Sequence, residues 1–410
     1  MQLNREFRWL RDFRSVILNL KLMMQTFREA LLLDILTQPT APFREKHVID
    51  LISKTLMKAK IPFFPDPIGN LVVGVASERE YLELIKVKST EPVRFIIAHL
   101  DHPGFHGTKW RSELELEFKW HGGSPTEDLV GSSVWLANSQ GGLGQAEVIE
   151  AELHASGRAI VSGTVRLTEK IKLEATEIYG GFSFRAPVWK EQQIYYTKAA
   201  DDLVGAFAIL SVVMDFYEAK KKNLPLIGLL TRAEEVGFIG AIGHFELGWL
   251  KKARRPILGV SLETSRTLPG ADIGKGPVVR LGDRYTVFDS GALRVFSDLA
   301  ESVLPGAHQR RIMDGGTCEA TAATVYGIPC VGISVPLGNY HNQCFEGGPD
   351  ARKPLGPAPE FVHETDVRGL ITLCHALLKP KLKWELPWEG KLKSFKKSLK
   401  DYRPLLKSGP

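Results

Sequence analysis

The chain has 410 residues, 44% of them hydrophobic and 24% charged, which suits an ordinary globular protein with a substantial core and more than one domain. No run of 18 or more apolar residues occurs, so a membrane span is not expected. The net charge of +6 does not mark a nucleic-acid surface, because it is confined to the two ends: residues 379–410 hold ten Lys or Arg against three acids, residues 1–28 hold six against two, and the body between them is mildly acidic.

At the N-terminus, "MQLNREFRWLRDFRSVILNLKLMM" sets arginines ahead of a short apolar run that Lys21 interrupts, with no convincing small-residue cleavage site. An N-terminal amphipathic helix is expected there. The stretch "EKHVIDLISKTLMKAK" has helical spacing, and "FFPDPIGNLVVGV" reads as a turn feeding a strand. Then come "VRFIIAHLDHPG", "LPLIGLLTRAEEVG", "ILGVSLETS" and "CVGISVPLGNYHN", each an apolar run that turns polar at its C-terminal end. Helical stretches such as "DDLVGAFAILSVVMDFYEAKK" alternate with some of them. This pattern predicts an α/β fold with a mostly parallel central sheet flanked by helices.

Residues 106–190 differ. Short strand-like runs separated by Gly, Ser and Asn, with no good helix among them, predict a small inserted β-barrel or sandwich. The expected organisation is a discontinuous catalytic domain, 1–104 and 192–378, a β domain at 105–191, and a basic tail at 379–410. That tail is expected to be a solvated terminal helix or frayed end, with contact to a membrane surface or RNA as the alternative. Cys318, Cys330, Cys344 and Cys374 form no CxxC pair, which suits a reducing cytoplasm.

Ligands of open α/β sheets bind outside the carboxyl ends of the strands. Found there are His99 and Asp101 in "IIAHLD", Asp201 and Asp202 in "KAADDLVG", Glu234 and Glu235 in "RAEEVG", Glu263 in "VSLET" and His341 in "GNYHN". Singly, each has a plain structural explanation; "DD" before a helix is usually a cap and "EE" a solvated turn. Together they form a nitrogen-and-oxygen constellation for divalent metal. Several carboxylates in one crevice cost several kcal/mol each unless cations compensate them, and two divalent ions would supply that charge.

The order His-x-Asp, Asp-Asp, Glu-Glu-Val-Gly, an acidic residue, "GGT" and His resembles the cocatalytic dinuclear aminopeptidases. It most resembles the tetrahedral or deblocking (glutamyl) aminopeptidases, metallopeptidase family forty-two. The resemblance runs over roughly residues 30–378 and includes "PIGNLVVG" and "GGTCEATAATVYGIPCVGISVPL". It implies the aminopeptidase fold with its inserted β domain, two divalent ions per chain (Zn, with Co or Mn also fitting), peptide substrates and a homo-oligomer. Asp201 would bridge the ions, His99 and Glu263 completing one site and Glu235 and His341 the other. Glu234 would be the general base, and Asp101 would accept the second ring proton of His99. An open coordination position would receive the substrate's free α-amine.

Three departures stand out. Glu263 replaces the usual Asp, Cys318 replaces the Asp of a "GGTDA"-like motif, and about twenty residues, "FEGGPDARKPLGPAPEFVHE", extend the segment after His341. His102, His106, His121 and His363 are expected to be surface or packing residues. A dimetal amidohydrolase or deacylase acting on N-acyl amino acids, and a non-catalytic binding protein keeping the fold, are the alternatives.

Overall fold

The computed structural model describes residues 27–220, 225–352 and 354–407. The N-terminal helix expected over the first 24 residues lies outside them.

The chain begins with α1 (Glu29–Thr37) and α2 (Lys46–Lys58), then the antiparallel pair β1 (Phe63–Pro65) and β2 (Leu71–Val73), and α3 (Glu78–Lys86). β3 (Val93–His99) is buried along its whole length. After the barrel strands come α4 (Leu203–Glu218), β12 (Leu226–Thr231), α5 (Ile239–Glu246), β13 (Ile257–Arg266), β14 (Val278–Asp283), α6 (Ser290–Val303), β15 (Gln309–Met313), α7 (Glu319–Val325) and β16 (Cys330–Leu337). The sheet runs β1-β2-β12-β3-β13-β16-β14-β15, and β12, β3, β13 and β16 are parallel neighbours. β12 and β16, like β3, are buried throughout, because helices cover both faces. That is why these strands read as largely apolar runs rather than alternating ones, interrupted by buried Arg94 in β3 and buried Ser334 in β16.

α4 covers the sheet with an almost wholly apolar first three turns, and the Asp202 carboxylate caps it by accepting the Gly205 N–H at 3.1 Å. The chain leaves β3, returns as β12 on one side of it, and then crosses to β13 on the other. That reversal opens a crevice at the C-terminal ends of these strands, where a doubly wound sheet binds its ligands.

β4 (Gly104–Trp110), β5 (Glu115–His121), β6 (Ser133–Ala137), β7 (Gly142–Leu153), β8 (Ile160–Leu167) and β9 (Tyr179–Phe182) close into an antiparallel barrel, order β4-β5-β8-β7-β6-β9. Its own core includes Phe105, Phe118, Trp120 and Phe182. β10 (Val188–Glu191) and β11 (Ile194–Thr197) pair instead with β17 (Glu360–His363), the strand that ends the extension after His341. α8 (Glu364–Leu377) then packs on α4, and an exposed helix, α9 (Glu389–Lys407), follows. Among the described residues no helix is long and apolar enough to cross a membrane.

Candidate metal centre

The crevice collects side chains from four strand ends and one helix start. His99 closes β3, Glu234 and Glu235 follow β12, Glu263 lies on β13, His341 follows β16, and Asp201 precedes α4. His99 Nε2 lies 3.5 Å from Asp201 Oδ1, and His341 Nε2 lies 3.6 Å from Asp201 Oδ2. One carboxylate therefore faces both imidazoles. His341 Nε2 is also 3.1 Å from Glu235 Oε2, and His99 Nε2 is 3.8 Å from Glu234 Oε2. Ligand atoms of His99, Asp201 and Glu263 lie within 4.8 Å of one another, as do those of Asp201, Glu235 and His341, and those of His99, Glu234 and Glu235.

The donor set fits divalent cations. Asp201 Oδ1, Glu235 Oε1, Glu263 Oε1 and His341 Nε2 are buried without a hydrogen-bond partner, a costly condition unless something electropositive completes them. Burial raises the pKa of Glu234, Glu235 and Glu263, and neighbouring carboxylates add to it. His99 opposes the shift at Glu234, His341 at Glu235 and Arg280 at Glu263. Burial works against protonation of His341, but Glu235 and Asp201 outweigh it and lift its pKa to about 10; His99 is raised in the same way by Glu234 and Asp201. Asp201 shows the reverse balance, burial being overcome by His341 and His99, so its pKa falls.

These shifts give a sign for pH dependence. Without ions, protons on His99 and His341 compensate the acids. Because the folded pKa of His341, about 10, exceeds its unfolded value, that stabilisation is complete below about pH 6.5 and is lost as pH rises through the folded value. Cations must displace these protons. Metal affinity of the ion-free protein is therefore expected to rise about tenfold or more per pH unit between pH 6 and 8, with protons released on uptake. Chelator competition at pH 6, 7 and 8 checks this, and a flat profile would contradict it.

The loop carrying the two glutamates is held from outside. Ala233, though not glycine, has φ 52°, a left-handed conformation with a steric cost. Its N–H donates to Glu45 Oε1 at 3.0 Å, and the N–H groups of Glu234 and Glu235 donate to the two oxygens of Asp101 at 2.9 and 3.1 Å. This revises the role expected of Asp101. The second ring nitrogen of His99 meets the main-chain carbonyl of Asp101 at 3.0 Å, while its carboxylate, 3.8 Å from that nitrogen, anchors the glutamate turn.

His341 also has a left-handed backbone, φ 55°, and Asn339 and Asn342 flank it in the same region. Its N–H donates to Glu360 Oε1 at 2.8 Å, and Glu360 Oε2 accepts from Ala200 and Asp201 N–H at 2.7 and 3.2 Å. Glu360 thus ties together the two segments bearing His341 and Asp201. The sequence reading missed it; its signal was an acid opening a strand inside the extension. Gly123 of the barrel backs His341 so closely that a Cβ there would lie 2.0 Å from Nδ1.

Of the four histidines expected to be surface or packing residues, His102 packs in the interior next to the site. It is buried beneath the site, with Nδ1 3.0 Å from the Asp201 carbonyl, and burial lowers its pKa to about 3. His106 and His121 pack together with ring centroids 4.4 Å apart, and His363 caps α8.

Beside Glu263 and Tyr340 a cavity of ≈ 340 Å³ opens, lined also by Arg158, Arg266, Arg280, Gln343 and Phe345. The last two sit where the extension begins. Arg280 is buried, and the Arg266 guanidinium lies 3.6 Å from the Phe345 ring centroid. Cys318 is buried at the start of α7 with Sγ 3.5 Å from Asp283 Oδ2, and burial raises its pKa far above the usual thiol value.

A mixed sheet with an inserted closed barrel and a carboxylate–imidazole crevice has counterparts among solved structures. The Pyrococcus horikoshii TET1 peptidase, which can assemble into a tetrahedron or a large octahedral shell, matches with TM-score 0.65 and 20% identity over 85% of this chain and 98% of that one. An aminopeptidase of the archaeon Desulfurococcus kamchatkensis matches with TM-score 0.66 and 18% identity, covering 87% and 97%. The TET aminopeptidase of a marine sediment Thaumarchaeota archaeon matches with TM-score 0.67 and 18% identity, covering 88% and 99%. These likenesses establish the fold. No curated protein matches the chain. The family model for M42 glutamyl aminopeptidase matches residues 83–345, and the chain belongs to that family. It is a metal-dependent peptidase.

Proposed function

We propose that the chain is a two-metal aminopeptidase that removes N-terminal residues from peptides, preferring acidic ones, with Glu234 as general base. The observation that carries this is Asp201, whose two oxygens face separate imidazoles in two ligand groups that each end in an unpartnered buried oxygen. His99, Asp201 and Glu263 would hold one cation, and Asp201, Glu235 and His341 the other. Bound there, two divalent ions (Zn, Co or Mn) would supply a water of lowered pKa and polarise the scissile carbonyl.

The remaining chemistry belongs to the protein. The Asp101 carbonyl occupies Nδ1 of His99 and leaves Nε2 directed into the crevice. Glu234, buried and beside other acids, has the raised pKa that suits a carboxyl taking a proton from water and returning it to the leaving amine. Arg158, Arg266 and Arg280 put three cations around a cavity bordering Glu263, which supports recognition of a Glu or Asp side chain at the substrate's first position. We also propose a homo-oligomer, as in the assembled TET peptidases.

Acetylating the N-terminus of a peptide is expected to remove most of its turnover; equal rates on free and acetylated peptides would move the assignment to the deacylase alternative. The acidic preference has its own check in Arg266, which is exposed at the cavity mouth. Arg266→Ala should lower kcat/KM for a glutamyl p-nitroanilide about tenfold relative to the leucyl compound, the loss of one charge-assisted contact. An unchanged ratio in both Arg266→Ala and Arg158→Ala would remove the arginines from specificity.

A further inference from the structure

The peptidase reading leaves α9 without a task. Within it and at its start, Trp388, Leu392, Phe395, Leu399, Tyr402 and Leu406 alternate at spacings of four and three, which aligns them on one face. All six are exposed, from 48% at Trp388 to 74% at Leu406. At the start of α9 the Arg294 guanidinium lies over Trp388, 6.0 Å from its ring centroid. The helix is 19 residues long, roughly 28 Å, and carries seven Lys or Arg against two acids.

From this we propose that α9 is a surface-binding helix that lies in the headgroup layer of an anionic lipid bilayer. Charge complementarity selects this occupant. Lys391, Lys396 and Arg403 flank the apolar stripe, so pairing with α9 of a second copy would set like charges against each other along the seam. Residues 1–26, also basic in balance, meet the same objection. An anionic membrane accepts the stripe and its basic flanks together. Trp388, Phe395 and Tyr402 lie seven residues apart on one line, and such aromatic side chains favour the lipid–water boundary. Lysine stems beside them can reach outward to phosphates while covering apolar surface.

The test uses the full chain and sedimentation with vesicles of phosphatidylcholine alone or with about 30% phosphatidylserine. Binding is expected to be at least tenfold tighter to the anionic vesicles at about 0.1 M salt and to weaken strongly near 1 M. Both the triple variant Leu392→Ser, Phe395→Ser, Leu399→Ser and the triple variant Lys396→Glu, Lys400→Glu, Arg403→Glu should lose binding while keeping wild-type peptidase turnover, which shows that the body is folded. Absence of binding, or equal binding to neutral vesicles, overturns the proposal. So does a fall in oligomer mass for the serine variant without any vesicle binding by wild type, which would assign the face to a second copy. Binding of single-stranded RNA without vesicle binding overturns it in favour of a nucleic-acid partner.

Discussion

Glu234→Gln is expected to lower turnover by about 10²–10⁴-fold while metal content stays unchanged. The amide keeps the size of the side chain, and the main-chain N–H that holds this residue to Asp101 is untouched. What the change would remove is the proton acceptor proposed for the reaction. The neighbouring position should respond differently. Glu235 Oε2 sits 3.1 Å from His341 Nε2, and its other oxygen has no hydrogen-bond partner, so on the proposed ligand set Glu235→Gln would exchange an anionic ligand for a neutral one. One ion should be weakened selectively, and excess metal should recover part of the activity. The geometry also contains a competing arrangement, because His99, Glu234 and Glu235 lie close enough to form a ligand group of their own. Metal stoichiometry measured beside turnover separates the two. If Glu234→Gln sheds an ion and Glu235→Gln keeps both, the roles are reversed.

The fold was legible because the physics that builds it is periodic and local. β3, β12 and β16 are buried on both faces, and a mostly parallel, doubly covered sheet accounts for such largely apolar runs. The barrel was legible from the same logic in reverse, short runs broken by turn residues and without helices. Ligand candidates were legible because strand ends are fixed points of an α/β sheet. What stayed hidden depends on three-dimensional proximity. Glu360 lies 159 residues from Asp201, and nothing local to either residue announces that one accepts the other's N–H. Asp101 was visible as a polar residue near His99, yet which of its oxygens the imidazole meets is decided by where the β12 turn docks. For His102 the choice between surface and packing stayed open, because its partners, Asn342 and the Asp201 segment, are remote in sequence. The arginines of the cavity come from the barrel, β13 and β14, so no spacing pattern links them.

The greatest loss of metal is expected from Asp201→Asn. Its two carboxylate oxygens are divided between the two imidazoles, at 3.5 and 3.6 Å. The substitution removes an anion from both ligand groups at once, so bound metal should fall below one ion per chain under conditions where wild type holds two, and turnover should fall by at least about 10³-fold. Folding should survive. The main chain at this position is held by its carbonyl to His102 and by its N–H to Glu360, neither of which involves the side chain. In the ion-free state the same change removes a charge that raises the pKa of His99 and His341, so both should titrate lower than in wild type. Two-dimensional NMR of the histidine rings in ion-free protein reads that shift, and elemental analysis reads the metal. Two ions retained at wild-type affinity would end the shared-ligand reading. A lowered histidine pKa with lost metal in a protein of unchanged circular dichroism would place Asp201 between the two ions.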